Sequence, residues 1–220
     1  MAKQVINKDK LSHLELPNLL DNKNISLALK TIYSVVDSYR NDPNNFRSLI
    51  VSVTDKRYLN FQVFENDFWQ FLEALYLEDS EEYVHDARVS SNPNDSNFSF
   101  SLKEEAFFIL ALHPESPRFS RRFKCPSIVF NIHQQFETLR AQGIFSRIRN
   151  IIRERDKKLQ GSINPMLKDF GEKSEIFQYL GRSYDEDDPS PLNLRTKNEH
   201  YQTTPRYKLY SEEGREAQSY

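Results

Sequence analysis

Glycine is scarce in this chain, at 5 of 220 residues. Neither a GxGxxG turn nor a Walker loop can be written through it, so no glycine-rich backbone cradles a nucleotide phosphate. There is one cysteine, Cys125, which excludes an intramolecular disulfide and every paired-cysteine zinc motif and suits a reducing compartment. Long apolar runs are missing too. The longest, Ala106–Leu112, ends at His113 and is far too short to span a bilayer, and Met1–Lys10 lacks the apolar centre of a signal peptide. HExxH and GxSxG are absent, which leaves zinc-protease and nucleophile-elbow hydrolase chemistry without support. The formal net charge of −2 gives no global basic field for nucleic acid or a membrane surface. These absences predict a cytoplasmic protein without a membrane anchor.

Aromatic side chains are plentiful, with 16 Phe and 11 Tyr. Residues 1–23 read as a polar N-terminal segment whose Leu14, Leu16, Leu19 and Leu20 can dock on the body. Ile25–Tyr39 predicts a helix with Leu29, Ile32, Val36 and Tyr39 on one face, stopped by Asn41-Asp42-Pro43. Phe46–Val53 predicts a buried strand, and Phe64–Leu77 a second helix striped by Phe64, Phe68, Phe71, Leu72 and Leu75. After a loop at Ser90–Asn97 come two strands, Asn97–Leu102 and Ala106–Leu112, joined by Lys103-Glu104-Glu105, and then a short strand at Ser127–Phe130. Asn131 with Gln134 three residues later has the form of a capping box opening a helix, which breaks near Gly143 and resumes to about Lys158. Beyond Arg182 the acidic run Asp185–Asp188 and two prolines predict an extended or disordered tail over 183–220. The expectation is an α+β single domain, a small mixed β-sheet flanked by helices over 24–182, with a polar C-terminal tail.

The chemistry concentrates between Phe107 and Arg182. His113 sits at a strand end before Pro114, and His133 opens the following helix with Glu137 and Arg140 on its polar face. Taken alone, each histidine is more simply a locally satisfied or solvated side chain. Between Arg118 and Lys158 eleven Lys/Arg stand against three acids, about +8 in a slightly acidic chain. Arg147, Arg149, Arg153 and Lys157 are accounted for as the outer face of an amphipathic helix with Ile144, Ile148, Ile151 and Ile152 inward. Arg118, Arg121 and Arg122 follow His113 in a loop, where no helix face explains them. A heme propionate, a phosphate-bearing ligand or nucleic acid would each match such a set.

In its central part the chain resembles the YqcI/YcgG family. The resemblance rests on His113-Pro114-x-Ser116-x-Arg118, Arg121-Arg122-Phe123, Phe130-Asn131-x-His133-x-Gln135-Phe136-Glu137 and Arg153-x-Arg155-Asp156. It continues through Gln160-Gly161-Ser162-x-Asn164-Pro165, Phe170-Gly171, Ser174-Glu175 and Gln178-Tyr179-x-Gly181-Arg182, covering roughly 46–182. It implies non-covalent heme b on an axial histidine, in keeping with the absence of CxxCH, and a heme-dependent oxygenase that hydroxylates a nitrogen of a small guanidine- or amine-containing metabolite. Carried onto this chain, it implies His113 as iron ligand with His133 as the alternative and as distal proton relay, and Arg118, Arg121 and Arg122 on the propionates. Glu137, Glu175 and, third, Asp156 would meet the substrate cation. For Asp156 an ion pair with neighbouring arginines is the stronger reading. O2 and an electron donor are implied as partners, and a homodimer is compatible with the sequence. A heme carrier or sensor and a nucleic-acid-binding module are the alternative readings.

Overall fold

The computed structural model describes residues 11–164, 166, 170–185, 188 and 190–194. Five strands form one sheet: β1 (Leu11–Leu16), β2 (Ser48–Val53), β3 (Phe100–Leu102), β4 (Glu105–Leu112) and β5 (Ser127–Ile132), in the order β1-β2-β5-β4-β3. Only β1 and β2 run parallel, so the sheet is mixed, as expected. Among the described residues four α-helices accompany it: α1 (Asn22–Asn41), α2 (Phe61–Asp79), α3 (Gln134–Ala141) and α4 (Phe145–Gln160). No described helix is long and apolar enough to cross a membrane.

Capping chemistry sets the helix ends. Asp21 accepts from the Lys23 amide at the start of α1, and Asn60 accepts from the Val63 amide at the start of α2. Gly161, at φ +81°, closes α4 in the left-handed region, its amide bonded to the Lys157 carbonyl. At the other helix start the capping box is not formed. Asn131 belongs to β5, where its side chain accepts from Ser48 Oγ and donates to the Phe108 carbonyl, while Gln134 accepts from Arg88. A cross-strand partner at hydrogen-bond distance holds Asn131 in the sheet.

The strands are apolar on both sides. One face presents Leu49, Val51, Phe107, Ile109, Ile128 and Phe130, all buried in a core shared with Ile32 and Val36 of α1 and Phe64, Phe68, Phe71 and Leu72 of α2. The other face carries Ile50, Phe108, Leu110, Leu112 and Val129 and is covered differently, as described below. The N-terminal segment enters this architecture earlier than expected. Residues 11–16 form the edge strand β1, and Leu16 and Leu19 are fully buried. The short pairing length and polar His13 and Glu15 hid the strand in the sequence. Of the expected tail, Tyr184 and Leu192 pack into the core, whereas 195–220 lie outside the described residues.

The β3–β4 hairpin turns on Lys103 and Glu104, both at positive φ, and Glu105 belongs to β4 rather than to the turn. Left-handed backbone at two non-glycine residues costs free energy. Tertiary bonds offset it: the Lys103 amide donates to Asp79 Oδ1, its Nζ to Asp37, and its carbonyl accepts from Arg40. Asp79 is buried, accepts also from the Tyr33 hydroxyl, and burial raises its carboxyl to about 6 from 3.8. The folded state thus holds this proton more tightly than the unfolded chain does. The contribution is full below about pH 4 and is lost as pH rises through about 6. Asp79→Asn keeps an oxygen for both donors and cannot ionise. In urea titrations it should flatten the pH dependence between those values and add on the order of 2 kcal/mol to unfolding free energy at pH 7. An unchanged pH profile would remove Asp79 as its source.

Candidate functional site

The second face of the sheet opens onto a cavity of about 630 Å³, within the size range of small-molecule and cofactor pockets. Its floor is the apolar set Ile50, Phe108, Leu110, Leu112 and Val129. Its roof is α4, which supplies Ile148, Ile152 and Leu159, and α3 adds Phe136. Helix α4 packs on α3 and on the turn at Phe119–Arg121 and stands off the strands, so Asp156 is its only buried residue. The set lining the cavity therefore departs from the sequence reading: Arg149 and Arg153 belong to it together with Ile148 and Ile152, whereas Ile144 and Ile151 do not.

His133 lies at the junction of β5 and α3, its backbone amide bonded to the Ala106 carbonyl. Its ring reaches the cavity wall beside Phe170, with centroids 4.6 Å apart, and Nε2 is 3.9 Å from Glu137 Oε1. Burial lowers its pKa to about 4 against the opposing pull of Glu137, so the imidazole is neutral at pH 7. A neutral, cavity-facing imidazole is the form that ligates iron.

His113 is placed elsewhere. It is fully buried outside the cavity, stacked on Phe64 and edge-on to Phe61. Nε2 donates to the Tyr58 carbonyl at 2.7 Å, and Nδ1 accepts from the Glu115 amide at 3.0 Å. Both ring nitrogens are consumed, and burial lowers the basicity of the ring further. The assignment of His113 as axial ligand is therefore corrected: it ties the end of β4 to the turn before α2.

The arginines separate in the same way. Arg118 and Arg121 line the cavity, whereas the exposed Arg122 donates to the Ser116 carbonyl and lies over the Phe119 ring, outside it. Arg118 donates through Nη2 to Asp156 Oδ2 (2.6 Å) and the Ser162 carbonyl (2.7 Å), while its Nε is buried without a hydrogen-bond partner. Arg121 donates through Nη2 to the Gln178 carbonyl, its Nη1 has no partner, and burial lowers its pKa to about 10 with Arg118 adding to the repulsion. Buried guanidinium N–H groups without acceptors are costly. Gly181 makes room for Arg121: at φ +69°, a Cβ there would sit 2.7 Å from Arg121 Cγ.

Among the carboxylates, Asp156 is an ion-pair residue, as its stronger reading held. Oδ2 takes Arg118 and the Asn164 amide and Oδ1 takes Ser120, so most of its acceptor capacity is spent within the protein although it lines the cavity. Glu137 pairs with Arg140 and is not on the cavity wall, so its substrate role is corrected as well. Glu175 does line the cavity. It is 4% exposed, Oε1 receives Ser99 Oγ at 2.7 Å and the Tyr179 hydroxyl at 2.8 Å, and burial raises its carboxyl to about 8.

The sequence pattern of the YqcI/YcgG family matches residues 1–193. The chain belongs to the YqcI/YcgG family. Two relatives from Bacillus subtilis (strain 168) bear names that state no activity. The uncharacterized protein YqcI is 29% identical over 118 residues, 51% of this chain and 45% of YqcI. The uncharacterized protein YcgG is 29% identical over 150 residues, 64% of this chain and 58% of YcgG. The matched stretches thus span about half the length of these relatives. No solved structure matches the chain.

In this YqcI/YcgG member the residues fit a heme. The cavity combines an apolar floor for a flat macrocycle, one neutral histidine, and the side chains of Arg118 and Arg121. No cluster of three or more metal-binding side chains occurs among the described residues. Sequence reasoning missed the floor and Arg140 as lining groups. The available signal was Ala106–Leu112, apolar at every position, which marks a strand covered on both faces. The Arg118–Asp156 pair should hold the turn at Phe119–Arg121 to α4. Asp156→Ala leaves a buried guanidinium uncompensated and should lower unfolding free energy by about 3–5 kcal/mol, measured by denaturant titration. A loss below about 1 kcal/mol would mean the pair is solvated in solution.

Proposed function

We propose that this cavity holds heme b non-covalently with His133 as axial ligand. We further propose that the protein is a heme-dependent oxygenase hydroxylating a nitrogen of a small guanidine- or amine-containing metabolite. The observation that carries the reading is the neutral imidazole of His133 on the wall of an apolar cavity that Arg118 and Arg121 also line. When bound, the heme would supply oxygen activation with O2 and an electron donor as partners. The chain's own residues do the rest. Arg118 and Arg121 would neutralise propionates, Ile50, Phe108, Leu110 and Val129 would exclude water, and Glu175 would face the substrate's basic nitrogen.

His133 is the one histidine among the described residues that lines the cavity, so a two-histidine carrier or sensor would need a second ligand from elsewhere. The nucleic-acid reading loses its main support, because Arg118, Arg121, Arg149 and Arg153 face the cavity. Protein expressed with heme precursor should show a Soret band that His133→Ala abolishes. His113→Ala should keep the band while losing about 1–3 kcal/mol of stability, through the unsatisfied Tyr58 carbonyl and Glu115 amide. A wild type that stays colourless with added hemin would overturn the heme reading. Heme binding without an oxidised product from arginine-like substrates, O2 and reductant would reduce it to the carrier.

A further inference from the structure

We propose that Glu175 is the proton-exchanging acid of the cavity, meeting a bound ligand as an uncharged carboxylic acid and donating its proton to that ligand's basic oxygen or nitrogen. This deepens the proposed function and rests on the cavity being where the reacting molecules bind, not on which group holds the iron.

The geometry satisfies both protonation states, which an acid buried for structure alone does not require. Ser99 Oγ lies 2.7 Å from Glu175 Oε1 and 3.2 Å from the Phe107 carbonyl, and it has one proton to place. When the carboxyl is ionised, Ser99 and Tyr179 both donate to Oε1. When it is neutral and protonated on Oε1, Glu175 donates to Ser99 Oγ and Ser99 turns its own proton to the Phe107 carbonyl. When the proton sits on Oε2, Oε1 goes on accepting from both hydroxyls. Among the described residues every hydrogen bond to this carboxyl falls on Oε1, so Oε2 is the oxygen left for a ligand. The Tyr179 hydroxyl is fixed in turn by the Phe100 amide at 3.4 Å, which keeps the cluster assembled through a proton cycle.

Donation breaks the Glu175 O–H bond and forms a new O–H or N–H bond on the ligand. The carboxylate left behind is stabilised by Ser99 and Tyr179, and the proton is replaced from water at the cavity mouth. The cavity it lines also carries Arg121, Arg149, Arg153 and Arg155. Tyr179 shares its turn, Arg140 from α3 favours its ionised form, and His133 and the Arg118–Asp156 pair occupy other parts of the cavity wall. Burial outweighs Arg140, so the acid is predominantly protonated at neutral pH, with its carboxyl at about 8.

The test needs no heme at first. Infrared pH titration of the full chain should show a protonated-carboxyl band at pH 7 that disappears with a midpoint near 8. Glu175→Gln should lack the band, and Ser99→Ala, which removes a donor to the charged form, should move the midpoint upward. A band that persists to about pH 10, or one absent at about pH 6, would overturn the proposal. Should Glu175→Gln fail to fold, the wild-type titration and the Ser99→Ala shift still decide it. In hemin-loaded protein, azide affinity should fall by about tenfold for each pH unit above the midpoint in wild type relative to Glu175→Gln. Parallel pH profiles in the two proteins would reduce Glu175 to a structural acid. Failure to load hemin would strike the heme reading while leaving the infrared result standing.

Discussion

A sheet that is apolar on both faces has to be covered on both, and this requirement organises the molecule. Parallel and mixed sheets meet it by layering helices on either side. Here α1 and α2 seal one face, with Leu49, Val51, Phe107, Ile109 and Phe130 driven to nearly complete burial. Among the described residues the second face is covered by α3, the segment carrying Phe170, Glu175 and Gln178, and the long, arginine-rich α4. That helix carries too few apolar side chains at the right phase to lie down on the strands. It rests instead on the Phe119–Arg121 turn and on α3. The gap that results is the cavity, and its apolar floor is the same strand sequence that builds the core on the other side.

The polar groups around that gap divide by whether they are already satisfied. His113, Arg122, Asp156 and Glu137 have partners within the protein, and their chemistry is spent on joining segments: β4 to the turn before α2, the Arg118 loop to α4, and α3 to itself. His133, Arg118, Arg121 and Glu175 line the cavity. All four are buried or have buried polar heads, and burial is the largest cause of the lowered His133 and Arg121 and of the raised Glu175. A desolvated imidazole, guanidinium and carboxyl around one apolar space make up a site whose reactivity is set by exclusion of water rather than by any single motif.

Much of this was legible from residue order. Periodicity located α1, α2, β2 and β4, Gly143 separated α3 from α4, and the quoted motifs led to the YqcI/YcgG family. The ion pair of Asp156 was also the stronger reading from the sequence. What misled was local pattern without its partner: Asn131 has the form of a cap, but Ser48 across the sheet takes its side chain. The edge strand at Leu11–Leu16 escaped because half of its side chains face outward and its pairing partner lies more than thirty residues away.

Sequence by itself determined the layered α+β chain, the helix limits where Asp21, Asn60 and Gly161 act on their own neighbours, and the stretch in which the functional groups reside. Those are local matters, decided by capping, backbone conformation and hydrophobic period. Tertiary structure alone decided which histidine faces the cavity. His113 and His133 are equivalent as letters, each beside a strand end. One meets a carbonyl and an amide from neighbouring turns, and the other meets an open wall. That difference depends on the carbonyl of Tyr58, 55 residues from His113 along the chain, and long-range placement of a backbone oxygen cannot be read from the residues around the ring.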